Sequence, residues 1–247
     1  MSTAPPPTTA LITGGARRLG AACVRTLARR GMAVVIHHHA SDGPAKALQT
    51  EITAQGGEAH LLQADLADPE QTRTLIDRAA TLLGNRPLTL LINNAAIFEP
   101  GTLRQTSLEQ WQRHLAINLT APFLLSREFA RQLPPGLPGQ IIQIIDRHGH
   151  RPRPGYAAYS AAKSALWTLT RQAALELAPA IRVNAIGPGP ILPAPGDSAE
   201  RFAAIGAATP AGRSGTPDDI LSALLFLIDH DFITGEMIRV DGGEHLR

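Results

Sequence analysis

At 247 residues, 44% of them hydrophobic and 18% charged, the chain can bury one large α/β core without disulfides or a structural metal, and it is not a mostly disordered chain. A formal net charge of +2, with no long Lys/Arg run, argues against a nucleic-acid partner. The lone cysteine, Cys23, cannot close an internal disulfide; it reads as a small core residue in a reducing compartment.

Taken in chain order, residues 1–9 are rich in Pro and Thr and lack a basic start followed by an apolar run. Residues 1–8 read as a flexible tail. Short apolar runs then alternate with longer segments of helical spacing. Strands are predicted at 10–12, 33–36, 59–62, 88–92, 141–145, 182–186 and 237–240. Helices are predicted at 18–30, 45–55, 69–83, 108–132, 159–178 and 217–229. Asp68 before Pro69 and Thr216 before Pro217 are natural N-caps. Most strands are apolar throughout, as expected where both faces are covered. The β-α-β-α order predicts a Rossmann-type α/β fold: a doubly wound, parallel, seven-stranded sheet with helices on both faces. Pro/Gly clusters at 133–139, 151–155 and 187–196 read as loops within one domain spanning 1–247, and the Pro- and Ala-rich stretch 190–211 says little. No stretch approaches the ~20 apolar residues of a membrane span, so a soluble cytoplasmic protein is expected.

Ligands of such folds sit at the carboxyl ends of the strands. The first strand runs into Thr13-Gly14-Gly15-Ala16-Arg17-Arg18-Leu19-Gly20 and then a helix. Glycines there let the backbone approach a pyrophosphate, and a helix N-terminus presents free N–H groups to it. Arg17 and Arg18 either meet phosphate as planar, permanently charged donors or sit as solvated surface side chains. The second strand ends His37-His38-His39-Ala40-Ser41, with no acid until Asp42. An NAD site usually places an acid there for the ribose hydroxyls; its absence favours NADP. Consecutive strand residues point to opposite faces, so the three histidines cannot converge on one metal ion.

Tyr159 and Lys163 stand four apart at the start of a helix, on one face. A tyrosine of pKa ~10 is a poor proton donor at neutral pH until a neighbouring ammonium stabilises its phenolate. By itself the pair is a weak signal. Together with 13–20, Asp65-Leu66, Asn93-Asn94-Ala95-Ala96, Asn118, Val183-Asn184-Ala185-Ile186-Gly187-Pro188-Gly189, Thr234-Gly235 and Val240-Asp241-Gly242-Gly243, it makes the chain resemble a short-chain dehydrogenase/reductase over nearly its full length. That resemblance implies a nicotinamide cofactor, a small-molecule substrate and a homotetramer. It places Gly14, Arg17, Arg18, Leu19, Gly20, Asp65, Leu66, Asn94, Ala95, Ala96, Pro188 and Gly189 along the cofactor. It gives Lys163 the nicotinamide ribose and Asn118 a water in a proton relay.

Two departures from the common pattern narrow the resemblance. Arg18 stands where the turn usually has its third glycine. Asp146 stands where a serine usually lies thirteen residues before the tyrosine, and no serine occurs between Ser126 and Tyr159. Both resemble the pteridine reductase subgroup, including members that reduce dihydromonapterin or dihydrofolate, as does an aromatic, Phe98, after the Asn-Asn-Ala motif. An arginine of that subgroup is here Ala40, which leaves Arg17, His38, His39 and Ser41 to hold a 2′-phosphate. An ionised carboxylate would repel the oxyanion formed in ketone reduction but suits a C=N bond, whose nitrogen gains a proton. Asp146 is otherwise a loop or capping residue, and Phe98 is either core or a face for a substrate ring that Arg18 also touches. His148 and His150 are substrate contacts or solvated loop residues. The expectation is reduction of a dihydropteridine C=N bond, with Asp146, Tyr159, Lys163 and Asn118 as the catalytic set. A carbonyl or non-pterin imine reductase and a non-catalytic NADP(H) sensor are the rivals.

Overall fold

The computed structural model describes residues 8–146, 149, 151–194 and 196–246. Seven parallel strands form its single sheet: β1 (Thr9–Ile12), β2 (Ala33–His38), β3 (Ala59–Gln63), β4 (Leu90–Asn93), β5 (Gly139–Ile144), β6 (Ile181–Pro188) and β7 (Met237–Val240). Their spatial order is β3-β2-β1-β4-β5-β6-β7. The order reverses between β1 and β4, which opens a crevice at the carboxyl ends of those two strands. All seven predicted strands are present, most with ends shifted by a residue or two.

Strand alternation sorts the core into two layers. Ile12, Ile36, Ile92, Ile142 and Ile186 face α1 (Arg18–Arg29), α2 (Asp42–Ala54) and α9 (Pro217–Asp229). Leu11, Val35, Leu91, Ile141 and Val183 face α4 (Leu75–Leu82), α6 (Ala121–Gln132) and α7 (Ala157–Leu177). These strand side chains are fully buried, each stabilising the fold by ~1.5–3 kcal/mol. Cys23 lies in the first layer, where burial pushes its thiol up to about 12, as a core cysteine rather than a nucleophile.

Three helices depart from the sequence expectation. The helix predicted at 69–83 is interrupted at Thr74, giving α3 (Pro69–Arg73) before α4. The helix predicted at 108–132 is three pieces: α5 (Leu108–Leu115), a π turn (Ala116–Thr120) and α6. Pro122 accounts for the widened turn: it has no N–H for the carbonyl of Asn118, and its ring crowds that carbonyl. Within 190–211 the chain forms α8 (Ala199–Ala207), whose N-cap Ser198 accepts from the Arg201 N–H. Asp68 caps α3 through the N–H groups of Glu70 and Gln71, and the Asp219 carboxylate accepts from the Thr216 N–H at the start of α9. Residues 1–7 lie outside the described residues; Thr8, assigned to the tail from sequence, donates to Thr89 Oγ1. Among the described residues no helix is long and apolar enough to cross a membrane.

Candidate active site

The turn 13–20 is held from both sides of the crevice. Asn94, leaving β4, donates from Nδ2 to the carbonyls of Thr13 (2.9 Å) and Gly14 (3.2 Å). Thr13 Oγ1 accepts from the N–H groups of Asn94 and Ala95. Gly14 has φ +60, a left-handed conformation that favours glycine. A Cβ on Gly20 would lie 2.1 Å from the Gly14 carbonyl oxygen, so no other residue fits there. Arg17, the N-cap of α1, makes no side-chain capping hydrogen bond, and the first turn of the helix carries no acid. Its leading N–H groups therefore face the crevice without an internal acceptor, which suits a pyrophosphate. The residues present fit a dinucleotide.

His37 is a residue that sequence reasoning passed over in favour of its neighbours. Its Nδ1 accepts from the Gly14 N–H (3.1 Å), its carbonyl accepts from Gly15 N–H (2.9 Å), and its Nε2 lies 3.2 Å from the Ala64 carbonyl. Since Gly14 offers only a hydrogen, the ring carries its proton on Nε2 and donates it to Ala64. Burial, chiefly, pushes the His37 pKa down to about 4, so the ring is neutral and its acceptor is kept. Strand alternation was the available signal: it turns His37 and His38 to opposite faces.

The other predicted cofactor residues are distributed unevenly. Arg17 is exposed, His39 is 63% exposed with Nδ1 3.9 Å from Asp65 Oδ1, and Ser41 is half-buried at the start of α2. His38 is only 6% exposed, and its Nδ1 sits 3.3 Å from Asp42 Oδ1. This burial leaves His38 less accessible to a 2′-phosphate than His39. Leu19 is half-buried behind the turn, and Leu66 is buried. Asp65 Oδ1 accepts from the Ala67 N–H and shapes that loop. Ala95 is half-buried and Ala96 exposed beside the crevice. Pro188 and Gly189 close β6, where a Cβ on Gly189 would lie 2.5 Å from the Asp241 Cα. Arg18, at φ +51, extends Nη2 to the Pro193 carbonyl (2.7 Å), linking the turn to the segment after β6.

The structure brings Asp146, Tyr159 and Lys163 together. The Tyr159 hydroxyl donates to Asp146 Oδ2 at 3.0 Å. Lys163 Nζ donates to the Ile144 carbonyl at 2.7 Å and lies 5.8 Å from the Tyr159 ring centroid. Burial pulls the Lys163 pKa down to about 8, opposed by the nearby Asp146 carboxylate. Asp146 has φ +110, outside the region aspartate ordinarily occupies. A backbone held this way by its surroundings is typical of a functional position. The two departures noted in the sequence, Arg18 and Asp146, thus both fall on left-handed backbone.

Asn118 is fully buried on the π turn, but its amide does not hang free: Oδ1 accepts from the Ile97 N–H and Nδ2 donates to the Ile97 carbonyl, both at 3.0 Å. Its side chain holds the segment leading to Phe98. Phe98 is 39% exposed, so it is not a core residue. One of its faces is taken by Tyr156, with centroids 4.4 Å apart and planes within 6°, and it makes a T-shaped contact with Tyr159 at 4.8 Å between centroids. Tyr156 was missed because no local pattern reveals an aromatic pair made across distant loops. Among the described residues no group of three or more His, Cys, Asp or Glu could hold a metal. His148 and His150 lie outside the described residues.

Residues 14–245 match the family model described as enoyl-(acyl carrier protein) reductase. The chain is 35% identical over 242 residues to an uncharacterised oxidoreductase of Methylorubrum extorquens, covering 95% of this chain and 96% of that protein. It is 36% identical over 240 residues to a 3-oxoacyl-[acyl-carrier-protein] reductase of Synechocystis, covering 95% of both. Its fold matches the crystal structure of FolM alternative dihydrofolate reductase 1 from Brucella canis, complexed with NADP, with a TM-score of 0.92 and 36% identity over 97% of this chain and 94% of that one.

Proposed function

Because the chain belongs to the short-chain dehydrogenase/reductase family, we propose that it is an NADPH-dependent reductase acting on a C=N bond of a dihydropteridine- or dihydrofolate-type substrate. The observation that carries this reading is the Asp146 carboxylate, hydrogen-bonded to the Tyr159 hydroxyl where the family usually has a serine hydroxyl. The Brucella protein, solved with NADP and similar over nearly the whole chain, supports both cofactor and substrate class.

The bound nicotinamide supplies the hydride. The N–H groups at the start of α1 and the turn at Gly14–Gly20 receive the pyrophosphate; Arg17, His39 and Ser41 receive the 2′-phosphate. Lys163, held in place by the Ile144 carbonyl, stabilises the Tyr159 phenolate and so lowers the cost of releasing its proton. Asp146 accepts N–H groups of the substrate ring and keeps Tyr159 oriented toward the nitrogen that gains the proton. Arg18 reaches the substrate from the turn, and Phe98, 39% exposed, lines the substrate ring. Alignment of the two reactants supplies much of the acceleration.

The 3-oxoacyl reductase relative favours a second reading, carbonyl reduction. One assay separates them. Purified enzyme is followed by loss of reduced-nicotinamide absorbance with dihydrobiopterin, dihydromonapterin and dihydrofolate, beside small ketones and a 3-oxoacyl thioester. Turnover of dihydropterins, lost in Tyr159→Phe and in Asp146→Ser, supports the proposal. Efficient ketone turnover with the dihydropterins ignored overturns it. NADPH binding with no turnover of any substrate would favour a cofactor-sensing protein. A small-molecule enzyme of this family is also proposed to act as a cytoplasmic homotetramer.

A further inference from the structure

The segment 97–101, which carries Phe98, is fastened along its length by side chains of one helix face. Asn118 binds both backbone groups of Ile97. His114, fully buried on α5, places Nε2 3.4 Å from the Glu99 N–H and Nδ1 2.9 Å from the Gln110 carbonyl. Arg113 Nη1 pairs with Glu99 Oε1 at 2.7 Å. Gln110 Nε2 donates to the Pro100 carbonyl at 3.0 Å. At its far end the segment bridges to the start of the catalytic helix: Gly101 N–H donates to the Gly155 carbonyl (2.7 Å), and Ala157 N–H to the Gly101 carbonyl (3.0 Å).

We propose that His114 is a positioning residue that sets where Phe98 stands and thereby governs the affinity of the site for planar substrates. The Gln110 carbonyl can only accept and the Glu99 N–H can only donate, so His114 is fixed with its proton on Nδ1 and a lone pair on Nε2. Phe98 lies between the two residues that His114 and Asn118 hold, Glu99 and Ile97. Its peptide units are therefore gripped on both sides. A phenyl ring so held presents one height and tilt to Tyr156 and Tyr159, and the space left beside it has one thickness. Removing the His114 acceptor leaves the Glu99 N–H without its internal partner and frees that side of the grip. The effect falls on substrate fit, because Lys163 is fixed by the Ile144 carbonyl and the Tyr159 hydroxyl by Asp146. The substrate half of this inference rests on the proposed function; the positional half does not.

The test compares wild type with His114→Leu, which has no acceptor, and His114→Gln, whose Oε1 restores one. The full-length enzyme is crystallised in each form, assayed with NADPH against dihydrobiopterin, and titrated with NADP+. In His114→Leu the Phe98–Tyr156 stack is expected to be lost. KM for dihydrobiopterin should rise about tenfold, while kcat and the NADP+ dissociation constant stay within about twofold. His114→Gln should restore both the stack and the KM. An unchanged stack in His114→Leu overturns the proposal, as does an equal loss in kcat or in NADP+ binding. If wild type ignores dihydrobiopterin while His114→Leu still loses the stack, the pteridine reading falls and the positioning role stands.

Discussion

Replacing His37 by asparagine isolates a pH-dependent term in the stability of the cofactor turn. In the folded protein His37 is 2% exposed and its pKa is about 4, against an ordinary value of 6.5. A depressed pKa on a base means that the unfolded chain binds the proton more readily. Stability is then full above pH 6.5 and falls as pH drops toward 4. With about 1.4 kcal/mol for each unit of separation, the loss reaches about 2 kcal/mol at pH 5 and about 3 kcal/mol at pH 4. Other groups titrate over the same range, so the informative quantity is a difference. Urea unfolding of wild type and His37→Asn at pH 7.5, 5 and 4 should show wild type losing that much more than the variant. Asparagine does not titrate, yet its carbonyl can serve the Gly14 N–H. Parallel curves over the whole range would refute the claim that a buried neutral imidazole holds the turn.

Other perturbations follow the same geometry. Gly20→Ala puts a methyl 2.1 Å from the Gly14 oxygen and should abolish NADPH binding, measured by nicotinamide fluorescence, while far-UV dichroism is retained. Lys163 is buried with its pKa lowered to about 8 from 10.5; its contribution to stability is full above the unfolded value and is lost as pH falls through about 8. Lys163→Met should therefore gain up to about 3 kcal/mol at neutral pH in urea titrations while losing turnover; a destabilised variant would count against this account. Phe129→Ala empties a fully buried site in the second core layer and should cost about 3–5 kcal/mol in chemical denaturation.

The sheet was legible because most strands contain a short apolar run bounded by turn residues, and the central ones are buried on both faces. Helix interruptions were not. Helical spacing continues across Thr74 and across 116–120, and only the constraint of Pro122 on the carbonyl four residues earlier distinguishes a π turn from a regular one. α8 was hidden by the Pro-rich sequence before it. Within the site, motif spacing found Asp146, Tyr159 and Lys163, and the Tyr159–Asp146 hydrogen bond accounts for why spacing sufficed: both residues sit at the ends of neighbouring elements. Tyr156, His37 and His114 escaped because what they do depends on a partner reached through space, at Phe98, Gly14 and Glu99. The burial of His38 at the end of β2 carries no local sequence signal.

The hydrogen bonds joining Thr13 to Asn94 and Ala95 span about eighty residues of sequence. β1, β2 and β3 are neighbours in sequence and in space, so their half of the sheet can assemble over short loops. The crevice exists only once β4 has crossed to the other side of β1 and closed that long loop. A nascent or refolding chain therefore acquires its dinucleotide cleft late, as a by-product of joining the two halves. Once formed, ligand bound there favours the joined state, so occupancy raises the stability of the folded chain.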